Sequence, residues 1–116
     1  MSITLSAITI YPIKGCGGVD LTQAELEPRG LRYDRRWMVV DENRQFVTQR
    51  DFPRMALTAV TLASECLRVE APGMPQLSVP FEITSDEHID VHVWSDTVKA
   101  VSVGKEAAEW FSTFLR

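Results

Sequence analysis

A lysine followed by glycines is the first feature that could do chemistry. Lys14 stands where an apolar, strand-like run ends, in the stretch YPIKGCGG, residues 11–18. The glycines at positions 15, 17 and 18 permit positive φ and close backbone approach, so several amide N–H groups could face one anion. Because the spacing is neither a Walker loop nor GxGxxG, two readings stay open: contact with phosphate, or a glycine-rich turn with a solvated lysine.

A second group of cations lies in GLRYDRRWMVV, residues 30–40. Arg32, Arg35 and Arg36 flank Tyr33 and Asp34 just before an apolar strand. Asp34 could accept a hydrogen bond from one guanidinium and fix it, which would suit an arginine that clamps phosphate or carboxylate. In the alternative reading, Asp34 is a turn residue and the arginines are surface charges. The stretch FVTQRDFPR adds Arg50 and Arg54 near another strand end, with the same ambiguity.

Other catalytic patterns are missing from the sequence. His88 and His92 lie four residues apart on a predicted strand, where they share a face but are too far apart to share a metal easily. We therefore expect solvated or cross-strand paired histidines. Cys16 and Cys66 form no CxxC, and the sequence contains neither GxSxG nor HExxH. The sequence predicts ligands for an oxyanion, with no catalytic residue and no metal ligand.

Length and charge limit the partners that these cations could have. The chain has 116 residues, 45% of them hydrophobic, which suits one water-soluble folded domain. Its net charge of -4 argues against nucleic acid and acidic membranes as partners, since both reward a basic surface. With two isolated cysteines and no apolar run long enough to span a bilayer, we expect a cytoplasmic location.

Short β-branched or alternating runs between turn residues must position these side chains. Strand-like runs are predicted at 3–13, 20–28, 37–40 with 46–48, 56–64 with 66–72, an edge strand within 73–81, and 89–94 with 98–104. Apolar residues at helical spacing predict one amphipathic helix over about 105–115. We therefore predict a mostly β fold, a small barrel-like domain of seven or eight strands with one C-terminal helix.

The order of four motifs gives a specific resemblance. YPxK, GLxxDRxW, FxTxRxxPR and a closing helix with Trp and Phe cover essentially the whole chain. Together they resemble the N-terminal β-barrel domain of MOSC proteins, the relatives of molybdenum cofactor sulfurase and the amidoxime-reducing components. The resemblance implies that residues 1–116 form one such domain.

In that family the resemblance implies a molybdenum cofactor, molybdopterin, lying between this domain and a MOSC domain whose cysteine binds the metal. The cofactor-binding residues carried over are Lys14, Gly15 and Arg35, which would meet the pterin phosphate. Arg50 would line the same region or brace the barrel. Reductase-like members have serine after the lysine, whereas Gly15 offers only its backbone N–H. Cys16 is not the metal ligand.

No MOSC domain follows Arg116 in this sequence, and we expect the chain to be a part of a longer protein. The predicted function is a cofactor- and substrate-shaping domain of a molybdenum oxidoreductase, inactive alone, whose partner is a MOSC domain in cis or in trans. The alternatives are a stand-alone module that binds an anion or a protein, and a purely structural domain. Pyridoxal phosphate is disfavoured, because an imine-forming lysine needs desolvated surroundings.

Overall fold

The computed structural model describes residues 2–82 and 86–116, in which nine strands and one α-helix are defined. The strands are β1 (Ile8–Ile10), β2 (Val19–Leu21), β3 (Leu26–Glu27), β4 (Gly30–Leu31), β5 (Ala59–Leu62), β6 (Cys66–Glu70), β7 (Leu77–Pro80), β8 (His88–Val93) and β9 (Asp96–Val101). A 3-10 helix (Pro53–Leu57) precedes β5, and helix α1 (Lys105–Leu115) follows β9. The predicted mostly β fold with one C-terminal helix is confirmed.

The strands form four small antiparallel sheets rather than one continuous sheet. β1 pairs with β2, β3 with β4, β8 with β9, and β5, β6 and β7 form a three-stranded sheet in that order. Isolated bridges, Ile13 with Trp37, Val40 with Phe46 and Gln45 with His92, connect segments between these sheets. The described strands therefore give a barrel-like arrangement without closing into a complete barrel.

The sheet β5–β7 carries the most regular alternation. On β6, Leu67 and Val69 are buried while Arg68 between them is exposed. Leu67 lies opposite Val79 and Val69 opposite Leu77, so four buried side chains share one face of the sheet. This face forms part of the core, as the period-two pattern predicts.

Helix α1 covers the remaining side of that core. Ala107, Trp110, Phe111 and Phe114 are buried, and Trp110 Nε1 donates a hydrogen bond of 2.6 Å to the carbonyl of Pro75. The helix bounds agree with the predicted 105–115. Neither described helix is both long and apolar enough to cross a bilayer.

The N-terminal predictions are too long. The strand expected over 3–13 is reduced to Ile8–Ile10, because Ile3 and Leu5 are 89% and 79% exposed and no layer covers them. The strand expected over 20–28 is divided between β2 and β3. Alternation alone does not make a strand when one face has no core to pack against.

Both predicted hairpins that contact the cationic segments exist, with adjusted geometry. Between 37–40 and 46–48 the pairing consists of the Val40–Phe46 bridge and the hydrogen bond from Val47 N–H to the Val39 carbonyl. The turn forms as predicted, with Asp41 Oδ1 accepting backbone N–H groups of the turn. In the β8–β9 hairpin the register pairs Val93 with Asp96, so the turn is Trp94–Ser95 rather than residues 95–97.

Candidate anion-binding site

Lys14 lies beside the arginine-rich segment because the two stretches of backbone pair. The Lys14 N–H donates to the Trp37 carbonyl at 2.9 Å, and the Trp37 N–H donates to the Pro12 carbonyl at 3.0 Å. The Arg35 N–H donates to the Tyr11 carbonyl at 2.8 Å. Three backbone hydrogen bonds thus join residues 11–14 to residues 35–37, which are distant in sequence.

The Lys14 side chain rests on an aromatic ring. Its Nζ lies 4.2 Å from the ring centre of Phe46. Within residues 2–82 and 86–116, Lys14 forms no ion pair with a carboxylate. A cation held over a ring keeps most of its charge available to an anion, because the ring supplies only a weak quadrupole attraction.

Gly15 is favoured by its backbone conformation, and the Met55 side chain leaves little room for a larger residue. Its φ is +90°, and a Cβ there would lie 2.9 Å from Cε of Met55. Its carbonyl accepts a hydrogen bond of 2.7 Å from Nε2 of Gln49, a residue that the sequence analysis did not single out. No hydrogen-bond acceptor for the Gly15 N–H is found among the described residues.

The rest of the glycine loop packs internally. The Cys16 N–H donates to the Ile13 carbonyl, and the Gly17 N–H donates to the Thr58 carbonyl at 2.8 Å. A Cβ on Gly17 would lie 2.7 Å from that same Thr58 carbonyl oxygen. Gly17 is therefore needed for close packing, and the N–H groups of Lys14, Cys16 and Gly17 are engaged with backbone carbonyls rather than turned towards a ligand.

Asp34 holds Arg35 and the strand beside it at the same time. One carboxylate oxygen accepts the Tyr11 N–H at 2.8 Å, and the other accepts from Arg35 Nη1 at 2.7 Å. The Arg35 guanidinium also lies 5.2 Å from the ring centre of Tyr11. Asp34 thus has the orienting role that the sequence suggested, and Tyr11 adds a second support that it did not suggest.

The electrostatics of Asp34 follow from these contacts. Partial burial acts to raise the pKa of Asp34, but the Tyr11 N–H and the Arg35 guanidinium stabilise the carboxylate and bring the pKa below its ordinary value. The Arg35 side chain is 59% exposed, and its remaining N–H groups can still donate to an anion.

The two neighbouring arginines have structural partners instead. Arg36 pairs with Glu27, and Arg32 pairs with Glu25 at 3.1 Å. Arg32 also lies over the ring of Tyr33, which stacks on Phe81 with ring centres 4.4 Å apart. Tyr33 therefore supports Arg32 rather than Arg35.

Arg50 and Arg54, which looked alike in sequence, differ in structure. Arg54 donates to the Arg116 carbonyl at 3.3 Å and lies 4.5 Å from the Phe114 ring centre, so it braces helix α1. Arg50 is exposed and forms no ion pair with any described residue. It follows Gln49, the residue that contacts Gly15, so its backbone is next to the lysine loop.

Alternative chemistry is not supported by the described side chains. Cys16 is buried, and burial raises the pKa of its thiol to about 11, which leaves it protonated and unreactive at neutral pH. His92 Nδ1 lies 3.3 Å from Thr97 Oγ1 across the hairpin, which is one of the two alternatives expected for the histidines. No cluster of three metal-ligating side chains occurs within the described ranges.

The donors considered are the Lys14 ammonium, the Arg35 guanidinium and the Gly15 N–H, on neighbouring segments of the described chain. This set fits the phosphate of a cofactor, because phosphate oxygens prefer charged and backbone N–H donors. It contains no thiolate or histidine arrangement that would fit the metal itself. The geometry defines a small, mostly β domain that carries an exposed guanidinium and a lysine ammonium on neighbouring segments of chain.

Comparison with known proteins identifies the family of this mostly β domain. A family described as the MOSC N-terminal beta barrel domain matches residues 2–116, and the chain belongs to that family. Mitochondrial amidoxime reducing component 2 of Bos taurus is 39% identical over 97% of this chain, and molybdenum cofactor sulfurase of Danio rerio is 36% identical over 98%. The matches cover 35% and 14% of those proteins, so the chain spans about a third or less of their length.

A solved structure shares the fold. The solution structure of a protein from Bordetella bronchiseptica matches with a TM-score of 0.71 and 29% sequence identity. The match covers 97% of this chain and 83% of that one.

Proposed function

We propose that this domain supplies cationic contacts to the phosphate of molybdopterin in a protein whose MOSC domain holds the rest of the cofactor. Lys14, the Gly15 N–H and Arg35 make these contacts, and Arg50 adds a more distant positive charge. The observation that carries the proposal is the hydrogen-bonded pairing of residues 11–14 with 35–37, together with the absence of a carboxylate beside Lys14 in the described chain.

Two such contacts would help to seat the cofactor. A charge-assisted hydrogen bond contributes about 1.5–3 kcal/mol where it is shielded from water, which for the 59% exposed Arg35 requires the bound ligand or the MOSC domain to cover it. When bound, the cofactor supplies the redox chemistry of the metal. The domain binds and orients the cofactor, and the carboxylate beside Arg35, that of Asp34, is engaged in holding the guanidinium and the Tyr11 N–H.

The longer relatives support a MOSC domain in cis. Residues 1–116 would then be the N-terminal domain of a protein about the size of the amidoxime reducing components, in which this match covers 35% of the length. The expected cytoplasmic location stays a prediction, since the names of several relatives place them in mitochondria.

The test is a titration of the chain with inorganic phosphate, followed by amide chemical shifts. Shifts should concentrate at residues 14–18 and 33–36. Lys14→Gln and Arg35→Gln should each weaken binding about tenfold or more, the loss expected for one charge-assisted contact. Arg32→Gln is the matched control, because that arginine is paired with Glu25 and lies outside the segment 35–37 that pairs with residues 11–14. Shifts confined to other regions would refute the proposal.

One observation favours a second candidate, a stand-alone module that binds anions without a MOSC domain. The Bordetella chain has the same fold, and the match covers 83% of it, which leaves little room there for a second domain. Phosphate binding to the isolated chain that is unchanged when a MOSC domain is added in trans would support this candidate. Binding that tightens on that addition would support the cofactor role.

A further inference from the structure

Trp94 is an exposed aromatic side chain held in a costly conformation. It forms the turn between β8 and β9, it is 73% exposed, and its φ is +54°. Positive φ is uncommon for a bulky residue, and such strain concentrates where a side chain serves a function. A smaller or polar residue would form the same turn at lower cost.

The Trp94 ring is not loose in solvent. It packs against Phe46 in a T-shaped arrangement, with ring centres 5.1 Å apart and planes inclined by 66°. The backbone fixes this contact, because the Phe46 N–H donates to the His92 carbonyl at 2.9 Å and the His92 N–H donates to the Arg44 carbonyl at 2.7 Å. One aromatic pair therefore joins the tip of the hairpin to the segment that supports Lys14.

Phe46 contacts both the Lys14 ammonium and the Trp94 ring. The Lys14 Nζ lies 4.2 Å and the Trp94 ring centre 5.1 Å from the same Phe46 ring centre. Adding these two distances shows that Nζ can be no farther than 9.3 Å from the Trp94 ring centre. The Lys14 ammonium, which has no carboxylate partner in the described ranges, thus lies within that distance of an exposed indole.

We propose that Trp94, Phe46 and Lys14 form a binding surface for a planar aromatic anion, whose ring stacks on Trp94 while its anionic group contacts the Lys14 ammonium. Aromatic rings stack on exposed tryptophan with little preference for their substituents, so the indole selects a flat ligand. The ammonium selects negative charge. The proposal rests on the anion-binding role of Lys14 proposed above, and it adds a ring-binding element on a different strand pair.

The test uses the 116-residue chain and three probes: flavin mononucleotide, which has a planar ring and a phosphate; riboflavin, which has the ring alone; and inorganic phosphate. Binding is followed by quenching of flavin fluorescence and by the Trp94 indole N–H signal. Flavin mononucleotide should bind more tightly than either single-group probe. Added salt should weaken its binding, because the Lys14 contact is ionic.

The variants separate the two contacts. Trp94→Leu should weaken flavin mononucleotide about tenfold, a typical loss when an aromatic stacking contact is removed, and should leave phosphate binding unchanged. Trp94→Tyr should restore most of the affinity. Lys14→Gln should reduce flavin mononucleotide binding towards that of riboflavin, whereas Lys105→Gln, an exposed lysine on α1, should change nothing.

The outcomes distinguish this proposal from the function proposed above. If phosphate perturbs residues 14–18 and 33–36 but Trp94→Leu leaves flavin mononucleotide affinity unchanged, the aromatic surface is refuted while the phosphate site stands. The opposite result is also possible: flavin mononucleotide shifts the Trp94 indole signal, the shift is lost in Lys14→Gln, and Arg35→Gln leaves phosphate affinity unchanged. In that case the aromatic surface stands and the two-cation phosphate site is refuted. Equal affinity for all three probes refutes the surface.

Discussion

Two regions of the molecule are built differently. The region around β5–β7 and α1 consists of regular strands and a helix. The cationic segments, residues 11–18 and 30–37, are connected by an isolated β-bridge and contain residues with positive φ. In the first region buried apolar side chains alternate on strands or recur along a helix. Around the second lie the four described non-glycine residues with positive φ: Tyr33, Arg35, Arg44 and Trp94. Irregular backbone of this kind persists only when the surrounding structure holds it in place. The comparison teaches that one region provides stability and the other positions charged and aromatic side chains.

The largest loss of stability should come from removing a buried aromatic ring in the regular region. Phe114 is 1% exposed and packs in the cluster beneath α1, so Phe114→Ala should lower the free energy of unfolding by about 3–5 kcal/mol. Urea denaturation measures the change. Leu26→Ala, at a side chain that is 80% exposed, should stay within about 0.5 kcal/mol. Equal losses for the two variants would contradict the assignment of the core.

The next largest loss of stability should come from removing the Asp34 carboxylate, which connects the two cationic segments. Asp34→Ala removes the acceptor of the Tyr11 N–H and the partner of Arg35, and it should cost about 1–3 kcal/mol of stability in chemical denaturation. It should also weaken phosphate binding, because Arg35 loses its orientation. Asp34→Asn retains an oxygen for Tyr11 and should cost less than Asp34→Ala.

The same carboxylate gives a pH test. Since the folded-state pKa of Asp34 is lowered, its stabilisation is present above its ordinary unfolded pKa and is lost as pH falls through the folded value. The difference in stability between the wild type and Asp34→Asn should therefore be full at neutral pH and should shrink on acidification. A difference that stays constant down to the lowest pH at which the protein is folded would show that the charge of Asp34 contributes nothing.

Gly15→Ala should cause a smaller loss of stability. Gly15 follows Lys14 and lies against the core residue Met55, so it contacts both regions. Its φ of +90° is strained for alanine, and the new Cβ would lie 2.9 Å from the Met55 side chain, so we expect a loss of about 1–2 kcal/mol. Gly73→Ala is the control, because its φ is +76° but nothing lies within 4 Å of the added Cβ. Thermal unfolding compares them, and a cost at Gly73 equal to or above that at Gly15 would rule out the Met55 contact as a constraint.

Arg50→Gln should give the smallest change in stability. The side chain is exposed and has no ion-pair partner in the described ranges, so the free energy of unfolding should move by less than about 0.5 kcal/mol. Phosphate affinity should fall, though by less than in Lys14→Gln. An unchanged phosphate affinity would assign Arg50 to the surface alone.

The regular region was largely predictable from sequence, and the cationic region only in part. The helix bounds, β5 with β6, and the turn at Asp41 follow from periodicity and from residues that favour turns. The division of 3–13 and 20–28 into shorter strands did not follow, because it depends on which faces other elements cover. For the site, the sequence singled out Lys14 and Asp34 but could not tell Arg50 from Arg54.

The sequence by itself determined the family, the mostly β character, the closing helix and the residue types that could meet an anion, since these depend on local pattern and motif order. Only the tertiary structure decided which cations are already paired, that Gln49 and Phe46 support the lysine loop, and that Trp94 lies near it. The physical reason is that these contacts join segments that are far apart in sequence. Local propensity does not encode them, and the packing of the whole chain sets them.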